Sequence, residues 1–161
     1  MATRSVPIFR DNGRTYHADS CVPVVEAVRR GELRLESRAR GTYPGLPLPP
    51  GVLPGLRTLG YWDASRKQTW GLPWHRNEGI ELTYLETGRT GFALVHRQFV
   101  LQPGDLTITR PWQPHRVGTP VVGVGRLHFL ILDVGVRQPH PEWTWPSWLI
   151  LAKDDLRDLT A

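Results

Sequence analysis

An all-β fold, a sandwich or a barrel, is what this sequence predicts, and three observations carry the prediction. From Leu56 onward, short apolar segments recur at close spacing, many of them alternating apolar and polar residues. Glycine and proline fall between those segments, as in Thr87-Gly88-Arg89 and Pro103-Gly104-Asp105. Such punctuation of short strands is the mark of a sandwich or barrel. The run His128–Asp133 is apolar without alternation, which reads as a strand covered on both faces.

The elements follow in order. Asp19 and Ser20 offer N-cap oxygens ahead of a short helix, Pro23 suits its first turn, and Val24, Val25 and Val28 supply its apolar stripe. Arg29 and Arg30 suit the negative end of the helix dipole, and Gly31 suits a C-terminal stop. Leu33–Ala39 alternates with a period of two, a half-buried strand. Five prolines (Pro44, Pro47, Pro49, Pro50, Pro54) interrupt Tyr43–Gly55 and remove the N–H groups that a strand ladder needs. That stretch reads as an irregular loop or an edge crossing, and its leucines and valine are expected to pack on the sheets.

Strands are then expected near Leu56–Trp62, Ile80–Glu86, Thr90–Val95, Gln98–Leu101, Asp105–Arg110, Arg116–Val117 and Leu127–Val134. The tail carries Trp143, Trp145 and Trp148, then a helix start from Lys153, with Asp154 or Asp155 as cap and Leu156 and Leu159 on one side. A chain stopping on a freshly capped helix reads as a piece of a longer protein.

Composition narrows the class. The 161 residues are 40% hydrophobic and 22% charged, as expected of one folded domain. The single cysteine, Cys21, excludes an internal disulfide and points to a reducing compartment. The N-terminal twenty residues lack the apolar core of a signal peptide, and no apolar run approaches membrane-spanning length. The expected location is therefore cytoplasmic. The net charge is +5, but the arginines are scattered among acidic residues and only two lysines exist. A nucleic-acid footprint would concentrate its charge on one face.

One constellation carries chemistry. His75, Asn77 and Glu81 have even spacings, which place them on one face of an extended segment, and His115 follows in Pro111-Trp112-Gln113-Pro114-His115. Two imidazoles and a carboxylate make an open site for zinc, iron or nickel. Asn77 is a poor ligand for such metals and a good hydrogen-bonding partner for a polar small molecule. A third reading treats these residues as polar groups with no ligand. Trp70, Trp74 and Trp112 flank the motifs and are candidates for the apolar wall of a pocket. His17, His96, His128 and His140 read as turn, surface or core residues. No Gly-x-Ser-x-Gly motif and no phosphate-cradling glycine loop occurs.

The pattern His75-Arg-Asn77-Glu-Gly-Ile-Glu81 with Gly88, followed by Arg110-Pro-Trp-Gln-Pro-His115, resembles the two cupin motifs. His75, Glu81 and His115 match the cupin metal-site positions, whereas Asn77 stands where a second histidine belongs. The order of Ile80-Glu-Leu, the glycine turn, Leu101-Gln-Pro-Gly-Asp-Leu and Pro114-His115 resembles the effector-binding domain of AraC-type transcription regulators over roughly residues 56–160.

The resemblance implies a double-stranded β-helix, or jelly-roll barrel, with a short N-terminal helix and a C-terminal helix start. Residues 1–55 would pack on the barrel and residues 56–161 would form it and begin the linker helix, one structural domain overall. It implies a sensor that binds a small-molecule effector at His75, Asn77, Glu81, His115 and the three tryptophans, and that forms a homodimer. DNA would be contacted only through a C-terminal domain absent from this chain, because too few residues follow Val134 and they include Pro139, Pro141 and Pro146. No cofactor is expected on this reading. The alternative is a metal-dependent cupin enzyme, of dioxygenase or isomerase type, with its divalent metal on His75, Glu81 and His115.

Overall fold

The computed structural model describes residues 8–11, 13–18, 21–135, 145–150 and 152–160. Asp19, Ser20, Pro139, His140, Pro141 and Trp143 lie outside them, as do the side chains of Leu156 and Leu159. In chain order come β1 (Ile8–Asp11), β2 (Arg14–His17), α1 (Val22–Arg29), β3 (Arg34–Ala39), β4 (Leu46–Pro47), β5 (Leu56–Ala64) and β6 (Ile80–Gly88). Then follow β7 (Thr90–Leu94), β8 (Arg97–Leu101), β9 (Leu106–Thr109), β10 (His115–Val117), β11 (Gly125–Leu132) and α2 (Lys153–Thr160).

The fold is mostly β, a sandwich of two sheets. The larger sheet has the order β4-β3-β5-β11-β6-β9, and the smaller has β10-β7-β8. The stretch 68–75 extends the smaller sheet along β10: Leu72 N–H donates to Val117 O at 2.9 Å, and His75 and His115 exchange backbone bonds at 3.0 and 3.1 Å. Trp62, Ala64, Leu85 and Leu127 of the larger sheet meet Phe92, Leu101 and Val117 of the smaller one, so the main core lies between the sheets. The strands expected from Leu56 onward are all present. β1 and β2 form a separate hairpin that the sequence reading did not draw, although Asn12-Gly13 between them is a hairpin signal.

Three expectations need correction. The N-cap of α1 is Cys21, without a side-chain cap bond, rather than Asp19 or Ser20. An N-cap oxygen serves the N–H of N2 or N3, and here N2 is Pro23, which has none. The buried face of α1 is Val24 and Ala27, with Val28 packed beside them, rather than a valine stripe. The proline-rich stretch includes the edge pairing expected as one of its two readings, Leu46 and Pro47 beside β3 in parallel. It does not bury all its apolar residues: Leu46, Val52 and Leu53 stay exposed.

That stretch is organised by one side chain. The Arg40 guanidinium donates to the carbonyls of Pro49 at 3.1 Å, Leu53 at 3.1 Å, Leu56 at 2.6 Å and Val52. A segment poor in N–H donors and rich in carbonyls thereby gains the donors that its prolines cannot supply.

Trp145, Trp148 and Leu149 pack over Leu56, Ile80, Leu132 and Val134 on the outer face of the larger sheet. Trp148 Nε1–H donates to Pro54 O at 2.7 Å. This cover buries Ile80, whereas Tyr84, two rungs along the same face, remains 40% exposed. Gly79, just before β6, is required by close approach: a Cβ there would lie 2.0 Å from the carbonyl oxygen of Leu132. Gly88 closes the β6–β7 hairpin at φ +86°, a conformation that side chains disfavour.

Candidate functional site

The site forms where the chain crosses from one sheet to the other. His75 sits on the edge segment of the smaller sheet, opposite His115 at the start of β10. Residues 76–79 then step across, and Glu81 is the second residue of β6 in the larger sheet. Glu81, Thr83 and Leu85 point between the sheets and are buried. His75, Asn77 and Glu81 therefore converge, but not as one face of one continuous strand: β6 begins only at Ile80.

The two imidazoles are held alike. Each Nδ1 lies 2.9 Å from the backbone carbonyl two residues earlier, Pro73 O for His75 and Gln113 O for His115. A carbonyl only accepts, so each Nδ1 carries the proton and each ring offers Nε2 as its lone-pair nitrogen when neutral. The ring centroids are 4.2 Å apart at 61°. His115 Nε2 lies 2.7 Å from Glu81 Oε2. With Nδ1–H committed to Gln113, that contact is attractive only if Nε2 carries a second proton or a cation lies with the pair. Burial pushes the Glu81 carboxyl up, but the imidazoles of His115 and His75 outweigh it and hold the group below its ordinary value of 4.5.

Asn77 Nδ2 donates to the same Glu81 oxygen at 2.5 Å, and Thr83 Oγ1 reaches Oε1 at 3.4 Å. The Tyr43 hydroxyl shares its one proton between two acceptors, Glu78 Oε2 at 2.5 Å, which takes the larger part, and Asn77 Oδ1 at 3.2 Å. Glu78, fully enclosed, meets Arg57 Nε at 3.3 Å, and Arg57 pairs in turn with Asp133. Burial foremost, then Glu78, raises Tyr43 well above the ordinary phenol value of 10.0, so it stays protonated. Sequence reasoning missed Tyr43 and Glu78, which lie in a proline-rich loop and beside a motif with no local signal for pairing.

His75, Asn77 and Glu81 form the polar end of a cavity of about 40 Å³ between the sheets. Its other walls include Cys21 and Val24 from the start of α1, Tyr43 and Pro44, Trp62 of β5, and Phe129 of β11. The expected tryptophan wall is not there. Trp74 precedes His75 on an extended segment and so points the other way; it is 46% exposed, with the Arg116 guanidinium 5.9 Å from its ring. Trp70 packs at the margin of the main core. Trp112 is buried away from the cavity with φ +63°, and its backbone N–H donates to Asn77 O at 2.8 Å. Trp62 takes the wall position instead, and the alternation of β5 (Thr58, Gly60, Trp62, Ala64) was the signal for it.

The donor set fits a divalent transition metal. His75, Glu81 and His115 bring one ligand atom each to within 4.8 Å of one another, all buried. Backbone carbonyls fix both imidazoles with Nε2 as the donor, the outer-sphere arrangement that metal-binding histidines use. These three residues would hold the ion, which would supply Lewis acidity or a coordination position for a small ligand. The remaining described histidines lie elsewhere: His17 and His96 are exposed, and His128 pairs with Glu86 on the outer face.

Comparison with known proteins places the middle of the chain. Residues 63–131 match the model of the AraC-like ligand binding domain. Among curated proteins nothing matches the chain. Similar solved structures include a cupin superfamily protein from Desulfitobacterium hafniense, 12% identical, covering 62% of this chain and 77% of its own, with a TM-score of 0.45. A cupin 2 conserved barrel domain protein from Leptotrichia buccalis is 13% identical over 63% of this chain and 41% of its own, with a TM-score of 0.47. A predicted oxalate decarboxylase from Thermotoga maritima is 22% identical over 48% of this chain and 68% of its own, with a TM-score of 0.39. Among the described residues no helix is long and apolar enough to cross a membrane.

Proposed function

We propose that this chain is a small-molecule-sensing domain of the AraC-regulator type, whose effector occupies the cavity between the sheets. The observation that carries the reading is a polar cluster, His75, Asn77 and Glu81 with His115 bonded behind them, at the end of a mostly apolar cavity. A ligand site has this composition: apolar walls and a few convergent polar groups. The match of residues 63–131 to a ligand-binding family supports it.

The size of the cavity adds a consequence. About 40 Å³ holds a few waters, far below the several hundred Å³ of a typical organic-ligand pocket. An organic effector therefore enters only if a wall moves. Cys21, Val24, Leu35, Tyr43 and Pro44 belong to the segments that precede β5, and all five lie outside the family match. A ligand that binds the opened state in preference shifts the population toward it, which is what sensing requires. On this reading the protein is a cytoplasmic homodimer, and DNA is contacted by a further domain C-terminal to residue 161.

One observation favours a second reading, a metal-dependent cupin enzyme: the three donors of His75, Glu81 and His115 are already gathered within 4.8 Å. Elemental mass spectrometry of wild type and His75→Ala separates the two. The sensor reading expects no stoichiometric transition metal and a rise in melting temperature with at least one member of a panel of small sugars, amines and carboxylic acids. One metal per chain, lost in His75→Ala and with no thermal response to the panel, would overturn it in favour of the enzyme.

A further inference from the structure

We propose that Asn77 and Tyr43 are positioning residues for the Glu81 carboxylate, not contacts for the ligand itself. The inference rests on the reading of His75, Glu81 and His115 as the groups that hold a ligand or metal, and it deepens that reading by dividing the polar cluster into residues that bind and residues that aim.

The hydrogen bonds fix the division. Asn77 uses both ends of its amide within the protein: Nδ2 donates to Glu81 Oε2 at 2.5 Å, and Oδ1 lies 3.2 Å from the Tyr43 hydroxyl, whose one proton it shares with the nearer Glu78 Oε2. The opposite amide orientation is excluded, because it would set Oδ1 against a carboxylate oxygen at the same short separation, two acceptors without a proton between them. The amide thus presents its donor to the carboxylate, and the Tyr43 hydroxyl braces its oxygen from the loop side as a weaker, shared donor. Tyr43 is anchored in turn by Glu78 at 2.5 Å, and Glu78 by Arg57 at 3.3 Å. This explains why a glutamate is fully enclosed next to the site without facing the cavity.

The consequence falls on Glu81. Among the described residues its Oε2 receives both Asn77 and His115, whereas Oε1 has only Thr83 at 3.4 Å. The two oxygens are therefore inequivalent: Oε2 is the one beside the His115 nitrogen, where a cation would take the place of a proton, and Asn77 holds it there. Loss of the Asn77 amide would free the carboxylate to rotate and to pair more fully with His115, which removes two prospective ligand groups at once. A side chain this close to a metal or ligand site, with its amide donor committed to a ligand residue, acts through aim rather than contact.

The test uses the full chain, ¹⁵N-labelled, with cobalt(II) alone as the probe. The Asn77 side-chain NH₂ signals, identified by their absence in Asn77→Ala, should be resolved and slow to exchange in wild type. In Tyr43→Phe, which keeps the ring volume, they should shift and exchange at least about tenfold faster. Cobalt(II) affinity, read from its visible absorption, should fall about tenfold or more in Asn77→Ala and less, in the same direction, in Tyr43→Phe. Leu101→Ala, at the far end of the core, should lower the melting temperature without changing cobalt affinity, which separates aim from general stability. Asn77 amide signals unchanged in Tyr43→Phe, or cobalt affinity unchanged in both variants, would overturn the proposal. If wild type takes up no cobalt, the metal-holding reading of the cluster fails, while the amide measurement still decides the positioning chain.

Discussion

Strand β6 carries two histidine–glutamate pairs, one on each face. On the inner face His115 Nε2 lies 2.7 Å from Glu81 Oε2, with side-chain exposures of 1% and 10%. On the outer face His128 Nε2 lies 2.6 Å from Glu86 Oε2, with exposures of 40% and 41%. The chemistry and the distance are nearly the same; the surroundings differ. The outer pair shares its glutamate with Arg126 at 3.6 Å and sits between the rings of Tyr61 and Tyr84, open to water. The inner pair is cut off from solvent and braced by Asn77. Distance alone does not distinguish a surface contact from a site; the dielectric around the pair and the outer partners of each atom do.

The comparison breaks most sharply at Glu81. Glu81→Ala leaves His115 buried opposite an empty place and strips Asn77 of its acceptor, and should cost about 2–3 kcal/mol in a urea titration. A loss below about 1 kcal/mol would place the inner pair in the same class as a surface one.

An acid titration sharpens the contrast with a smaller effect. Because the folded state holds the Glu81 carboxyl below 4.5, the unfolded chain takes up its proton first as pH falls. The stability it contributes is present above the unfolded value and is lost as pH falls through the folded one. The wild type should therefore lose stability in that range more steeply than Glu81→Gln, as read from urea midpoints at stepped pH. Parallel curves would remove the linkage.

The smallest effect is the most diagnostic for the outer face. Glu86→Ala should change stability by no more than about 0.5 kcal/mol, and high salt should erase even that.

The same contrast marks what the sequence could convey. The β strands from Leu56 onward were legible because alternation and glycine or proline turns are local signals, and His75, Glu81 and His115 were legible because they stand in two motifs of recognisable order, although Glu81 and His115 are 34 positions apart. Tyr43 and Glu78 were not, because neither stands in such a pattern and their bond depends on how the proline-rich stretch folds back. The tryptophans misled for a related reason: nearness in sequence to a motif does not fix the side to which a ring points. Trp74 turns outward because its neighbour His75 turns inward, and Trp62, far from either motif, reaches the cavity through the pleat of β5.

Arg40 sits one residue beyond β3 and three before Tyr43, and it gathers four carbonyls of residues 49–56 around one guanidinium. The stretch is thereby tethered to the same short piece of backbone that carries the phenol. Through Arg40, the loop that reaches the cavity wall at Tyr43 and the exposed proline-rich surface share one anchor.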